Sequence, residues 1–105
     1  MFFMYRDEAK FQRKLIERLE KEFPGSIVMK NDPSYIQAIP DLTMLYKDKW
    51  VALECKASWV SDKQPNQDWY IETMNDMGGF AYVIFPENME EVIDDIKLKL
   101  GVERT

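Results

Sequence analysis

Histidine is absent from this sequence of 105 residues, and cysteine occurs only once. Without histidine, a Ser-His-Asp triad, a Cys-His pair, a histidine-ligated zinc site and a histidine general base are all excluded. A single cysteine also excludes an internal disulfide and a four-cysteine zinc site. Any catalytic chemistry must therefore use carboxylates, lysine, tyrosine or a hard metal ion held by oxygen atoms.

Long apolar runs are also missing. None approaches the ~20 residues that span a bilayer, so we expect no membrane segment. The apolar start over residues 1–5 is too short for a signal peptide, and we expect it to pack on the core or to form a dimer contact. Hydrophobic residues make up 46% and charged residues 31%. This balance and the length indicate one soluble globular domain over residues 1–105.

The charge of the chain is unevenly distributed. The formal net charge of −5 argues against a nucleic-acid partner. Residues 1–63, however, hold 11 basic and 10 acidic residues, a balance of +1, whereas residues 64–105 hold 3 and 9, a balance of −6. The N-terminal part can therefore still present a basic face.

Hydrophobic periodicity and turn residues predict seven elements in the order α-β-β-β-α-β-α. They are a helix over 6–23, a strand over 26–30, a β-hairpin of strands 41–46 and 50–57, a helix over 65–77, a strand over 80–85 and a helix over 89–100. The crossover from 57 to 80 makes strand 80–85 parallel to strand 50–57, and its apolar sequence predicts burial on both faces. We therefore expect an α/β fold with a mixed central sheet flanked by helices.

Charged side chains meet at one end of the predicted hairpin. Strand alternation places Glu54 and Lys56 on the same face of a largely apolar strand. Asp41 begins the partner strand, so pairing across the turn at 47–49 brings its carboxylate to the same end. Because a buried charge is costly unless it is paired or binds a metal, this group indicates a site rather than ordinary core.

The first and second predicted helices direct polar side chains toward the same end. At 100° per residue, Glu8 points within about 20° of Leu15 and Leu19 on the apolar stripe, and Gln12 lies about 40° from Glu8. Gln67 begins the apolar stripe of the helix over 65–77. Carboxylates with a nearby lysine suit metal-assisted phosphodiester hydrolysis, in which a hard cation polarises the phosphate.

Pro40-Asp41 followed by Glu54-Cys55-Lys56 resembles the PD-(D/E)xK signature of restriction-endonuclease-like nucleases, whose αβββαβ core also matches the predicted order. Within that superfamily, residues 6–85 resemble the VRR-NUC (virus-type replication-repair nuclease) family. Glu8 with Gln12 resembles its N-terminal acid, Gln67 its downstream glutamine and Gly78 the glycine after that helix. Ile39 stands where the family often has glycine, and the acidic helix over 89–100 is an addition to the core.

The resemblance implies a role for each of these residues. Glu8, Asp41, Glu54 and the main-chain carbonyl of Cys55 would be ligands of Mg²⁺ or Mn²⁺. Asp41, Glu54, Lys56 and Gln67 would form the catalytic group, with Lys56 as the catalytic lysine and Gln67 in contact with Lys56 or the phosphate.

Each residue also has a structural interpretation. Asp41 is alternatively a turn acid, Glu54 and Lys56 a surface ion pair, Glu8 an acid favoured by the helix dipole and Gln67 a plain helix cap. Cys55 is expected to be a small buried residue. Trp59 and Lys63 either contact DNA or serve packing and solvation, and the same alternative holds for five further basic residues: Lys10, Arg13, Lys14, Lys47 and Lys49.

We therefore expect a Mg²⁺- or Mn²⁺-dependent deoxyribonuclease. Its small size favours a homodimer, whose two sites would suit branched DNA such as a Holliday junction. Stand-alone members of the resembled family are often viral, so we expect a phage protein acting in bacterial cytoplasm. The alternatives are a catalytically inactive DNA- or protein-binding module whose acidic C-terminal face meets a basic partner, and a nuclease of RNA or single strands.

Overall fold

The structure, a computed structural model, describes the backbone of residues 2–32, 34–36, 39–58 and 65–102, and their side chains except those of 2–7 and 65–68. The predicted order of elements is confirmed. They are α1 (Phe2–Glu22), β1 (Ile27–Lys30), β2 (Leu42–Tyr46), β3 (Lys49–Cys55), α2 (Pro65–Asp76), β4 (Phe80–Ile84) and α3 (Met89–Leu100), with a short 3-10 helix over Pro86–Asn88 before α3.

The four strands form one mixed sheet in the order β1-β2-β3-β4. β2 and β3 pair antiparallel through a tight turn, and the register runs from Tyr46 opposite Lys49 to Leu42 opposite Leu53. Lys47 adopts a positive φ of 57° in that turn. The antiparallel register places Asp41 and Glu54 next to each other beyond the last of these pairs. β3 and β4 are parallel, as the crossover through α2 requires.

The core lies between one face of the sheet and the helices α1 and α3. Each element buries its apolar side, since a stripe at helical spacing on α1 and α3 meets alternate strand residues. The core comprises Phe11, Leu15, Leu19 and Phe23 from α1, Val92, Ile93 and Ile96 from α3, and Leu42, Met44, Tyr46, Val51, Leu53, Cys55 and Ile84 from the sheet.

α2 packs against β4. The Asn75 side chain accepts from the Ala81 N–H at 2.8 Å and donates to the Ala81 carbonyl at 3.0 Å, which ties the helix to that strand. Gly78 turns the chain with a φ of +86°, and a Cβ on Gly79 would lie 2.7 Å from the Trp50 ring. The Gly78-Gly79 pair therefore permits both the turn and the close approach of the indole.

Some predicted details differ from the structure. α1 begins at Phe2 rather than at residue 6, because no glycine or proline interrupts the helix before Arg6. β3 begins at Lys49, since the hairpin turn needs only residues 47 and 48. Burial of residues 80–85 on both faces was wrong: only Ala81 and Ile84 are fully buried, because β4 lies at an edge of the sheet as described. None of the described helices has the length and hydropathy of a membrane span.

Candidate active site

Asp41 is held in place at the start of β2 by main-chain hydrogen bonds. The Cys55 N–H donates to Asp41 Oδ2 at 2.8 Å, across the hairpin. The Asn31 N–H donates to the Asp41 carbonyl at 2.8 Å. The Asn31 side-chain amide donates to the Pro40 carbonyl at 2.8 Å and to Thr43 Oγ1 at 2.9 Å. The Asp41 carboxylate is thus fixed from the β3 side, and its main chain from the β1 side.

Glu54 and Lys56 are both buried, with exposed fractions of 3% and 7%. Lys56 Nζ lies 3.5 Å from Glu54 Oε2. The Lys56 N–H donates to the Ile84 carbonyl at 2.9 Å, so the main chain that carries the lysine is anchored to β4. Burial first, and then the charge and hydrogen bond of Asp41, raise the pKa of Glu54 to about 8, although Lys56 acts in the opposite direction. This is a buried ion pair with a second acid beside it, not a surface pair.

Glu8 reaches this group from α1. Its side chain is half-buried, and its pKa is raised first by burial and then by the negative charge of Asp41, while Lys56 lowers it. Burial is likewise the main cause of the raised pKa of the Cys55 thiol, followed by the charges of Asp41, Glu54 and Glu8. Asp41 therefore interacts electrostatically with Glu8 and with Glu54, and all three carboxylates interact with the buried Cys55 thiol.

Comparison with known proteins rests on solved structures, since no protein-family model and no curated protein matches the sequence. The structure of a VRR_NUC domain protein is 20% identical with a TM-score of 0.67, over 94% of this chain and 97% of that chain. Hjc, a Holliday junction resolvase from the archaeal hyperthermophile Archaeoglobus fulgidus, is 20% identical with a TM-score of 0.53, over 73% of this chain and 67% of that chain. This chain has the fold of those two proteins. The restriction-endonuclease-like αβββαβ core with an extra C-terminal helix is thereby confirmed, and the resemblance to VRR-NUC holds for the fold.

On this VRR_NUC-like fold, the donor atoms at the hairpin end suit a hard divalent cation. Asp41, Glu54 and Glu8 supply only carboxylate oxygens, and burial disfavours their charged forms. A cation beside them would offset both the burial and the mutual repulsion. Within the described residues, no group of three or more Asp, Glu, Cys or His side chains is spaced as a preformed metal cage. A carboxylate pair fits Mg²⁺, which usually keeps water and substrate phosphate as its other ligands.

The structure leaves other predicted site residues undescribed. Gln67 lies in the first turn of α2, but its side chain is outside the described part. Trp59 and Lys63 lie entirely outside it. The role of the Cys55 carbonyl as a ligand and the ligand set of Glu8, Asp41 and Glu54 stay predictions.

Sequence reasoning missed two residues near the site. Asn31 follows β1, and its main chain and side chain bond to Asp41, Pro40 and Thr43, which connects residues 40–43 to the end of β1. Lys30 acts electrostatically on Asp41 and on Cys55, which places a second ammonium near the centre. Lys30 ends β1 and pairs with Leu42, the residue that follows Asp41. The nearness of Lys30 to Asp41 therefore depends on the register of β1 and β2, which was not predicted from the sequence. Gln12 is buried, as its position on the stripe predicted, and its Oε1 atom has no hydrogen-bond partner among the described residues.

Proposed function

We propose that this protein is a divalent-metal-dependent nuclease that hydrolyses phosphodiester bonds in branched DNA. The observation that carries the proposal is the meeting of Asp41, Glu54 and Lys56 at one end of the hairpin, with Asp41 bonded to the Cys55 N–H and Lys56 3.5 Å from Glu54. The two fold neighbours support a substrate of this class, since one is a Holliday junction resolvase and the other a VRR_NUC domain protein.

Asp41 and Glu54 would hold Mg²⁺ or Mn²⁺, with Glu8 and the Cys55 carbonyl beside them. Such an ion supplies neutralisation of phosphate charge and a lowered pKa for water. Glu54 holds the Lys56 ammonium where it can orient the attacking water and offset charge that develops on the phosphate. Gln67, at the start of α2, would support Lys56 or the phosphate. In the reaction, a water molecule gives up one proton to solvent as its oxygen forms a bond to phosphorus, the bond from phosphorus to one deoxyribose oxygen breaks, and the departing oxygen takes up a proton from solvent.

The first experiment measures cleavage of a four-way junction, a linear duplex with the same arms and a single-stranded RNA, each with Mg²⁺ and with EDTA. We expect wild type to cut the junction at least ten times faster than the duplex, and only with metal. Asp41→Asn and Lys56→Met should each lower the rate by about 10²-fold or more, the usual effect of removing an electrostatic catalytic group.

The hairpin offers matched controls at its other end. Asp48 and Lys49 form an exposed ion pair at 3.3 Å, so Asp48→Asn and Lys49→Met make the same chemical changes away from the site. These two variants should cleave at the wild-type rate. Equal rates in wild type and all four variants would contradict the proposal, and faster cutting of the RNA would contradict its substrate.

We extend the proposal to a homodimer. Ile27 pairs with Leu45 and Leu45 with Trp50, which makes an apolar row across the sheet on the face opposite the core. Ile27 is 59% and Trp50 38% exposed, and Met29 adds a further exposed apolar side chain. We call Ile27, Met29, Leu45 and Trp50 the apolar stripe. A contiguous apolar patch on a small domain is typical of an interaction surface, and a two-fold dimer would place two centres on one junction.

A further inference from the structure

A concavity lies beside the candidate centre, since Ala57 is among its lining residues. It has a volume of about 440 Å³, within the usual range for a small-ligand site. It opens between α1, the chain after β3 and the start of α3, and its lining includes Lys10, Phe11, Lys14, Ala57, Pro86 and Met89. Ala57 follows Lys56 directly, and Phe11 lies one helical turn beyond Glu8. We call this concavity the α1–α3 cleft. It adjoins the centre but contains none of the residues assigned to it.

The α1–α3 cleft combines a cationic rim with an apolar wall. Lys10 and Lys14 are four residues apart on α1, so their ammonium groups project on the same side of the helix. Both are exposed, and neither forms an ion pair within the described part of the chain. Phe11 is buried and Met89 packs against the core, which gives the cleft its apolar wall. This combination suits a ligand with a phosphate at one end and an apolar or aromatic body at the other.

The charges near the α1–α3 cleft help to identify the class of ligand that it binds. The next cation along α1, Arg18, already makes a bidentate pair with Glu90 at 2.7 Å and a bond to Glu22 at 2.8 Å, so it cannot serve a ligand without losing them. A different concavity, of about 410 Å³, is lined by Glu91, Asp94 and Asp95 and would repel a phosphate. Of these two concavities, the α1–α3 cleft is thus the one with the correct charge for a nucleotide, and its lining residue Ala57 directly follows Lys56.

We infer that the α1–α3 cleft binds one nucleotide of the DNA strand that crosses the candidate centre, next to the scissile phosphate. Lys10 and Lys14 contact its phosphate, and its sugar and base lie against Phe11 and Met89. A concavity of this size admits a base only when that base has left the helical stack. Unstacking costs least for an unpaired base, so the cleft favours DNA with unpaired nucleotides at a branch or flap. This inference rests on the DNA substrate of the proposed function. It adds that the cleft recognises an unpaired nucleotide of that DNA.

The test is equilibrium binding, measured by fluorescence anisotropy in EDTA so that no strand is cut. The ligands are a flap DNA with unpaired nucleotides and a blunt duplex of the same sequence. The variant Lys10→Ala/Lys14→Ala is compared with Lys47→Ala/Lys49→Ala, which removes the same charge from the far end of the hairpin. We expect the first to bind flap DNA at least ten times more weakly than wild type, and its slope of log K against log salt to be smaller by about 0.7, the contribution of one contacted phosphate in a single strand. The second should lose less than half as much on both measures. Equal losses would show a general charge effect and would overturn the inference.

A third variant tests the apolar wall without a change of charge. Met89→Trp fills the cleft, and Leu98→Trp makes a comparable change at a side chain of α3 that is 65% exposed. Met89→Trp should bind flap DNA no better than blunt duplex, whereas Leu98→Trp should keep the wild-type preference, provided both unfold at wild-type temperatures. An unchanged preference in Met89→Trp overturns the inference.

Cleavage assays of the same proteins separate the two proposals. If wild type binds and cuts DNA but the cleft variants behave as their controls, only the cleft is wrong. If wild type binds flap DNA through the cleft but never cuts, the cleft stands and the catalytic proposal is wrong. If wild type neither binds either DNA in EDTA nor cuts it with Mg²⁺, both are overturned.

Discussion

Asp41 and Glu54 lie where burial destabilises the charged form of a carboxyl group. Burial is the leading cause of the raised pKa of each, and the Asp41 charge raises that of Glu54 further. A carboxylate buried beside another one costs free energy that a single ammonium at 3.5 Å does not remove entirely. Such an arrangement persists when a function requires it, and perturbed acids in one cluster are typical of catalytic sites.

This reasoning predicts that removal of the Asp41 charge stabilises the metal-free protein. In Asp41→Asn, the side-chain oxygen can still accept the Cys55 N–H bond, while the repulsion of Glu54 disappears. We expect the variant to melt a few degrees above wild type in EDTA at pH 8. Added Mn²⁺ should raise the melting temperature of wild type and leave that of the variant nearly unchanged, because a ligand that binds only the native state stabilises it by mass action.

Differential scanning calorimetry with and without 1–5 mM Mn²⁺ measures both effects, and Asp48→Asn serves as the control for an acid lost outside the site. An equal response of wild type and Asp41→Asn to Mn²⁺ would show that the ion binds elsewhere.

Single residues differed in how well the sequence predicted them. Glu54 and Lys56 share a face because of strand alternation, and Asp41 joins them because a tight hairpin fixes the register, so local rules were sufficient. Glu8 followed from the 100° helical step. Asn31 did not follow from any of these, because its side chain bonds to Pro40 and Thr43, which are 9 and 12 positions away along the chain.

At the level of elements, α1 and α3 are joined at the surface by a network of ion pairs. Arg18 bonds to both Glu22 and Glu90, and Lys97, which is 7% exposed, donates to Glu22. The bonds from Lys97 and then from Arg18 lower the pKa of Glu22 to about 2. Glu22 therefore connects the last turn of α1 to the buried lysine of α3, beside the core that both helices cover.

Glu22→Gln should destabilise the protein in a pH-dependent way. The Glu22 pKa is about 2 in the folded state and near its ordinary 4.5 in the unfolded chain, so its stabilisation is present above about pH 4.5 and is lost as the pH falls toward 2. Because the pair is partly solvated, we expect about 1–2 kcal/mol at pH 7.

Urea unfolding of both proteins at pH 7, 5 and 3 measures the difference in unfolding free energy, which should be equal at pH 7 and 5 and smaller at pH 3. The exposed Asp48–Lys49 pair is the comparison, and Asp48→Asn should change little at any of these pH values. A Glu22→Gln difference that grows on acidification would contradict the assignment.

The elements themselves were largely predictable, for reasons that vary along the chain. Glycines follow helices 65–76 and 89–100 within two residues, and the hairpin strands are marked by alternation, so local signals fix their positions. The parallel pairing of β3 and β4 followed from the crossover through α2. The apolar sequence of β4 was misleading, because its position at the sheet edge depends on strand order, which is decided by packing.

For the whole molecule, the net charge of −5 is a poor guide to the surface that DNA would meet. The described chain extends over 38 × 27 × 22 Å, whereas charges are screened within about 8 Å at physiological ionic strength. The acids of α3 around Asp94 line a different concavity and are absent from the lining given for the α1–α3 cleft. They would limit how far DNA bound at Lys10 and Lys14 extends over that side of the molecule, which would fit a short footprint on each copy of the proposed dimer.

A short footprint would make the proposed homodimer important for substrate choice, and the apolar stripe makes that proposal testable. Leu45→Lys places a charge at the centre of the stripe, between Ile27 and Trp50, and Leu98→Lys makes the same substitution at an exposed leucine of α3. We expect Leu45→Lys to weaken self-association at least ten-fold in sedimentation equilibrium and Leu98→Lys to leave it unchanged. Paired cutting of a four-way junction needs two linked centres, so the ratio of junction to flap cleavage should fall in Leu45→Lys, while flap cleavage by each copy persists. A monomeric wild type that still resolves junctions, or equal association of both variants, would show that the stripe is not the contact between copies.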